Sequence, residues 1–129
     1  MLDPDQRTLL TDVLKPPLGY AFDQAIAATY SLDLTTLLSV PLHLALFANK
    51  DSRDLLRNPV AILEALNRTV SKLGIYCQHG AIHAPEQQHV LYSQLEPAVM
   101  EVRAPGGGSF HPKFWVLRYR DRDDRIRCV

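Results

Sequence analysis

His111 and Lys113, separated by Pro112, are the residues whose types and spacing best suit covalent chemistry in this chain. In an extended strand successive side chains point to opposite faces. That pattern puts His111, Lys113, Trp115, Leu117 and Tyr119 on one side and Phe110, Pro112, Phe114 and Val116 on the other. An imidazole can attack phosphorus as a nucleophile, and a fixed ammonium beside it steadies the anionic oxygens of the transition state. Neither role calls for a metal or other cofactor. With 5 His and 4 Lys in 129 residues, chance alone supplies His-x-Lys about 0.16 times per chain, so the setting of the tripeptide matters. Gly106, Gly107 and Gly108 precede it and allow close backbone approach to a ligand, which makes Gly107, Gly108 and Ser109 candidate substrate-binding positions. The aromatic and aliphatic run that follows reads as a buried strand from Phe110 to Arg120.

On these residues, the stretch from Gly106 to Tyr119 resembles the signature of the phospholipase D superfamily: His-x-Lys, four residues, then Asp, with a later Gly-Ser-x-Asn-like segment. The likeness is specific over about ten residues. It implies a phospholipase D-like amino-terminal half-domain that cleaves a phosphodiester through a phosphohistidine. His111 would serve as nucleophile or general acid, and Lys113 would hold the non-bridging oxygens. A second His would protonate the leaving oxygen before water releases the product.

Three departures shape the expectation. The family's Asp falls on Arg118, with Asp121, Asp123 and Asp124 nearby, although the tyrosyl-DNA phosphodiesterase branch also lacks that Asp. The Gly-Ser-x-Asn-like segment is missing. None of His43, His79, His83 or His89 has a Lys two residues on, so one motif stands where a family site uses two. A competent site is therefore expected to need a second copy, paired symmetrically across the His111 strand, or the remainder of a longer polypeptide. The isolated 129 residues are expected to be inactive. The rival expectation is a non-catalytic nucleic-acid-binding or interaction module that keeps the fold without the chemistry.

Length and composition suit one α/β domain over residues 1–129, with 47% hydrophobic and 22% charged residues. Net charge is zero but unevenly spread. Residues 1–102 hold 7 basic and 11 acidic side chains, and residues 103–129 hold 7 basic and 3 acidic. That bias favours an anionic partner, nucleic acid over phospholipid, although a solvated hairpin has the same composition. Cys77 and Cys128 lack metal-like spacing and read as reduced core residues. No stretch approaches the length of a membrane span and no leader pattern opens the chain, so a cytoplasmic location is expected.

A mixed sheet flanked by helices must position these groups. Asp3-Pro4-Asp5-Gln6 predicts a capped helix running to Leu14, ended by Pro16-Pro17. Residues 25–31 read as a central strand. A helix from Leu34 to Phe47 follows, capped by Asp33 and kinked or split at Pro41, with His43 as a structural side chain. Residues 49–58 read as a polar loop. Asn58-Pro59 opens a helix with Ile62, Leu63, Leu66, Val70 and Leu73 on one face, ended by Gly74. Strands are expected at 75–77, 99–103 and 126–129, and a short helix at 88–95. The last strand should form a hairpin with the His111 strand. His79 and His83 are four apart, but Gly80 between them argues for a turn, and no metal site is assigned.

Overall fold

The computed structural model describes residues 10–48, 52–87 and 90–129. The proposed cap at Asp3-Pro4, and Gln88 and His89 at the start of the 88–95 helix, lie outside them. The fold is mixed α/β, as expected. Its sheet has five strands in the order β5-β3-β1-β6-β7. These are β1 (Ala21–Thr29), β3 (Leu73–Gln78), β5 (Val99–Val102), β6 (Phe114–Arg120) and β7 (Ile126–Cys128). Strands β1, β3 and β5 run parallel, and β6 runs antiparallel to both β1 and β7.

Alternation along the strands explains which face is covered. Ala25 and Ala27 of β1, Leu73, Ile75 and Cys77 of β3, and Leu117 and Tyr119 of β6 join one buried cluster. On them lie α1 (Leu10–Leu14), α2 (Leu34–Ala48) and α4 (Pro59–Val70), through Leu14, Leu37, Val40, Leu44, Leu66 and Val70. The small alanines of β1 leave room for these helices. Tyr119 is wholly buried, and its hydroxyl donates to the Val13 and Leu14 carbonyls at 3.1 and 3.2 Å. Burial pushes its phenol pKa up.

Local signals set the helix ends. Asn58 accepts from the Val60 and Ala61 amides with Pro59 at the first helical position, so α4 begins where its cap places it. Asp33 accepts from the Thr36 amide at 2.7 Å and starts α2. This hydrogen bond to Thr36 holds the Asp33 carboxyl below its ordinary pKa.

Several expectations need correction. Pro41 does not split α2, which continues through it; Leu37, Val40, Pro41, Leu44 and Ala45 are all buried, so packing on both sides of the proline holds the turns together. The 49–58 loop contains α3 (Ser52–Arg57), whose Asp54 and Arg57 sit at the dipole-favoured ends. Helix α4 stops at Val70 with a Ser71 cap, so Leu73 belongs to β3 and pairs with Ala25. Within the described residues the expected 88–95 helix is α5 (Val90–Ser93), which ends two residues early and is followed by a 3₁₀ turn at Glu96–Ala98. Cys128 is exposed rather than part of the core, because β7 is an edge strand whose three residues are all exposed. Cys77 is buried as expected, and burial, helped by the Glu101 charge, pushes its thiol pKa up.

Two short strands, β2 (Leu32–Asp33) and β4 (Ile82–His83), pair in parallel beside the main sheet. This places His79 in a turn and His83 in a strand. No described helix is long and apolar enough to cross a membrane.

Candidate functional site

The carboxyl ends of β1, β3 and β5 meet the incoming end of β6 at one edge of the sheet. Open α/β sheets bind ligands at such an edge, outside the carboxyl ends of the strands. His111 and Lys113 lie there, in the segment that leads into β6. They are exposed.

The expected strand from Phe110 is shorter than its sequence pattern. Residues 108–113 have no regular structure and β6 begins at Phe114, which pairs with Ala28. The cause is local. β1 ends at Thr29, whose hydroxyl donates to the Ser31 carbonyl, so no strand remains opposite residues 111 and 112. Pro112 has no amide proton, and the Phe110 amide is taken by the Gln78 side chain at 2.7 Å. The strand-face geometry therefore applies to Phe114 onward, where Leu117 and Tyr119 are buried and Phe114 and Val116 exposed, and does not fix how His111 and Lys113 are aimed.

Among the described residues, two contacts hold the segment instead. Gln78, at the tip of β3, anchors Phe110 from 32 residues away. The Tyr30 ring stacks on His111 with centroids 5.1 Å apart and planes tilted 34°. Tyr30 itself continues the ladder, since its carbonyl accepts from the Gln78 amide. One imidazole is thus fixed beside the tips of two parallel strands. Before it, Pro105–Gly107 form a 3₁₀ turn in which Gly106 and Gly107 have φ of 66° and 73°. Only glycine takes that backbone without strain, so these residues turn the chain back toward the site. Gly107, Gly108 and Ser109 are all exposed along this approach.

A second group of polar residues at the same edge was not singled out in the sequence. The Arg103 guanidinium donates to His79 Nε2 at 2.7 Å, and His79 Nδ1 lies 3.4 Å from Glu101. Glu101 also accepts from the Gly80 amide at 3.1 Å. With the guanidinium at Nε2, Nδ1 is the ring nitrogen that faces Glu101. Nothing local marks these residues, since 22 to 24 positions separate His79 from its partners; only the parallel pairing of β3 with β5 unites them.

Arg118, where the resembled family carries Asp, is committed elsewhere. Its Nε donates to Asp23 at 2.6 Å and Arg120 reaches the same carboxylate at 3.4 Å. A register shift between Phe22 and Gln24 takes Asp23 out of the ladder and aims it at both arginines. Burial raises the Asp23 pKa, but the Arg118 hydrogen bond and charge, with Arg120, outweigh it and hold the carboxyl below its ordinary value.

Elsewhere, a cavity of about 720 Å³ opens between α5, β4 and β5, lined by Leu34, Ile82, Tyr92, Glu96, Val99 and Glu101 among others. Neither His111 nor Lys113 lines it. Comparison with protein-family models, curated proteins and solved structures gives no match to this chain.

Proposed function

We propose that this chain is a phosphodiester-cleaving domain resembling the phospholipase D superfamily, with His111 as nucleophile or general acid and Lys113 as the oxyanion-holding group. The observation that carries the reading is the position of the His-x-Lys segment: at the carboxyl edge of a parallel sheet, with His111 stacked on Tyr30 and its neighbour Phe110 pinned by Gln78. As nucleophile, His111 attacks phosphorus with its unprotonated ring nitrogen. The P–O bond to the leaving group breaks as the P–N bond forms, and the ammonium of Lys113 offsets charge on the non-bridging oxygens. Water then attacks the phosphohistidine and frees the imidazole. A second imidazole must give the leaving oxygen its proton and take one from water. This chain's single motif does not supply that group. The basic surplus of residues 103–129 favours nucleic acid over phospholipid as the diester.

A second reading, a binding module without chemistry, draws on Arg118. The family's carboxylate position is occupied by a cation already neutralised by Asp23. One experiment separates the two. In the assembled protein containing this segment, cleavage of a generic diester, phospholipid, single-stranded DNA and duplex DNA is followed with and without EDTA. Activity that survives chelation, vanishes in His111→Ala and falls roughly 10²-fold or more in Lys113→Ala supports the phosphodiesterase. Activity unchanged in His111→Ala, or dependent on a divalent metal, refutes it. Nucleic-acid binding with no cleavage of any substrate favours the module.

A further inference from the structure

The cavity beside α5 forms where the chain crosses from β4 back to β5. Ala84 and Pro85 carry short side chains and α5 is a single turn, so neither fills the space next to the edge strand β5. Leu34, Ile82, Tyr92 and Val99 pack against the main core on one side, yet they stay half-buried because on the other they line this cavity. Its volume of about 720 Å³ lies within the range of about 300–1,000 Å³ typical of small-molecule sites. An apolar body seated there extends the core.

The ionisable groups of the lining are of one sign. Glu96 and Glu101 contribute carboxylates, and among the described residues no lysine, arginine or histidine lines the cavity. The sequence carries the same bias: between Lys72 and Arg103 stand three glutamates and not one lysine, arginine or aspartate. The two carboxylates differ in what they hold. Glu101 is already engaged, accepting from the Gly80 amide at 3.1 Å and facing His79 Nδ1 at 3.4 Å. Glu96 is exposed, and among the described residues no hydrogen bond or ion pair engages its carboxylate. A neutral guest strips water from these groups and returns nothing, an anionic guest is repelled, and a cationic guest pairs them. The Tyr92 ring, whose hydroxyl contacts that of Thr35 at 3.4 Å, adds an aromatic surface that attracts an ammonium.

We propose that this cavity binds an organic monocation with an apolar body, of the aryl- or alkylamine class. The hydrocarbon part lies on Leu34, Ile82 and Val99, and the ammonium stands beside Glu96 within the field of Glu101. A bare metal ion leaves the apolar lining unused, whereas an apolar amine uses both the lining and the carboxylates. The site is separate from the His111 segment and does not rest on the phosphodiesterase reading.

Three probes with one apolar body and different charge test it: phenylbutylamine, phenylbutanol and phenylbutyrate, each titrated into the full chain while methyl signals are followed by NMR. For so small a probe the amine should saturate with a Kd on the order of 1 mM. The alcohol should bind about fivefold more weakly, and the carboxylate more weakly still. Intermolecular NOEs from the phenyl ring should reach the methyls of Ile82, Val90 and Val99. Glu96→Gln should weaken the amine about threefold and leave the alcohol unchanged, since an exposed carboxylate contributes only a screened ion pair. Glu86→Gln, in the same acidic stretch but outside the lining, should change neither. No shift of the lining methyls at about 10 mM amine overturns the proposal, as does an alcohol that binds as tightly as the amine. Amine binding that Glu96→Gln leaves unchanged overturns it too. NOEs that reach Ile26 and Val116 on the exposed sheet face, and not the lining, place the amine on another apolar surface and overturn the site.

Discussion

Replacing Gln78 by Ala removes a side chain that ties the His111 segment to the tip of β3. The lost contact is a neutral, part-buried hydrogen bond of 2.7 Å from the Phe110 amide. Such a bond contributes about 1 kcal/mol net. Phe110 is only half-buried, so water can reach its freed amide and no desolvation penalty adds to the loss. A loss of about 1 kcal/mol corresponds to a roughly fivefold rise in local opening and, for a chain of this size, a fall in Tm of about 3–5 °C. Hydrogen exchange read residue by residue gives the sharper assay. Protection of the Phe110 amide should fall about fivefold, while that of the Ile26 and Leu117 amides in the ladder should follow only the global change. Tyr30 still stacks on His111, but loosened positioning should slow diester cleavage tenfold or more, mainly in kcat. If Phe110 exchanges at the same rate in wild type and variant, Gln78 does not hold the segment and this account of the site's rigidity is wrong.

Two further outcomes follow from the ion pair and the buried phenol. Asp23→Asn should destabilise the protein by about 1 kcal/mol at pH 7, because Asp23 is part-buried between two guanidinium groups. Its folded pKa is depressed, so this stability is present above the unfolded value and is lost as pH falls through the folded one. Urea unfolding should therefore show the gap between variant and wild type narrowing below about pH 4, and an equal gap at pH 7 and pH 3 would exclude the linkage. Tyr119→Phe strands two carbonyls of α1 and should cost about 1–3 kcal/mol. Because burial raises the Tyr119 pKa, its contribution is full below the unfolded value and declines as pH climbs through the folded one. The variant should thus lose less stability than wild type between about pH 9 and 12, which denaturant titration can measure.

The elements with strong local signals were legible before any coordinates. Asn58-Pro59 gave the start of α4, and alternation from Phe114 to Arg120 separated the buried Leu117 and Tyr119 from the exposed Phe114 and Val116. Where tertiary contacts override local pattern, the reading fell short. Pro41 looks like a breaker until the buried turns on both sides of it are known. Cys128 looks like a core residue until β7 proves to be an edge. The candidate site divides the same way. His111 and Lys113 stand out by type and spacing, whereas Tyr30, Gln78 and the His79–Glu101–Arg103 group owe their place to β1, β3 and β5 ending side by side. No periodicity encodes that meeting.

The antiparallel docking of β6 on β1 has a consequence for how the chain is made. β1 is an interior strand whose two neighbours come from residues 73–78 and 114–120, so one of its edges waits for more than 80 residues of further synthesis. Until then a growing chain carries β1 with unpaired amides and carbonyls, the template on which nascent polypeptides misassociate. Two charged residues, Asp23 within β1 and Arg118 arriving late, mark that edge. Before its partner emerges, the lone carboxylate of Asp23 is a gatekeeper against wrong strand addition; afterward it becomes the latch that fixes the right one.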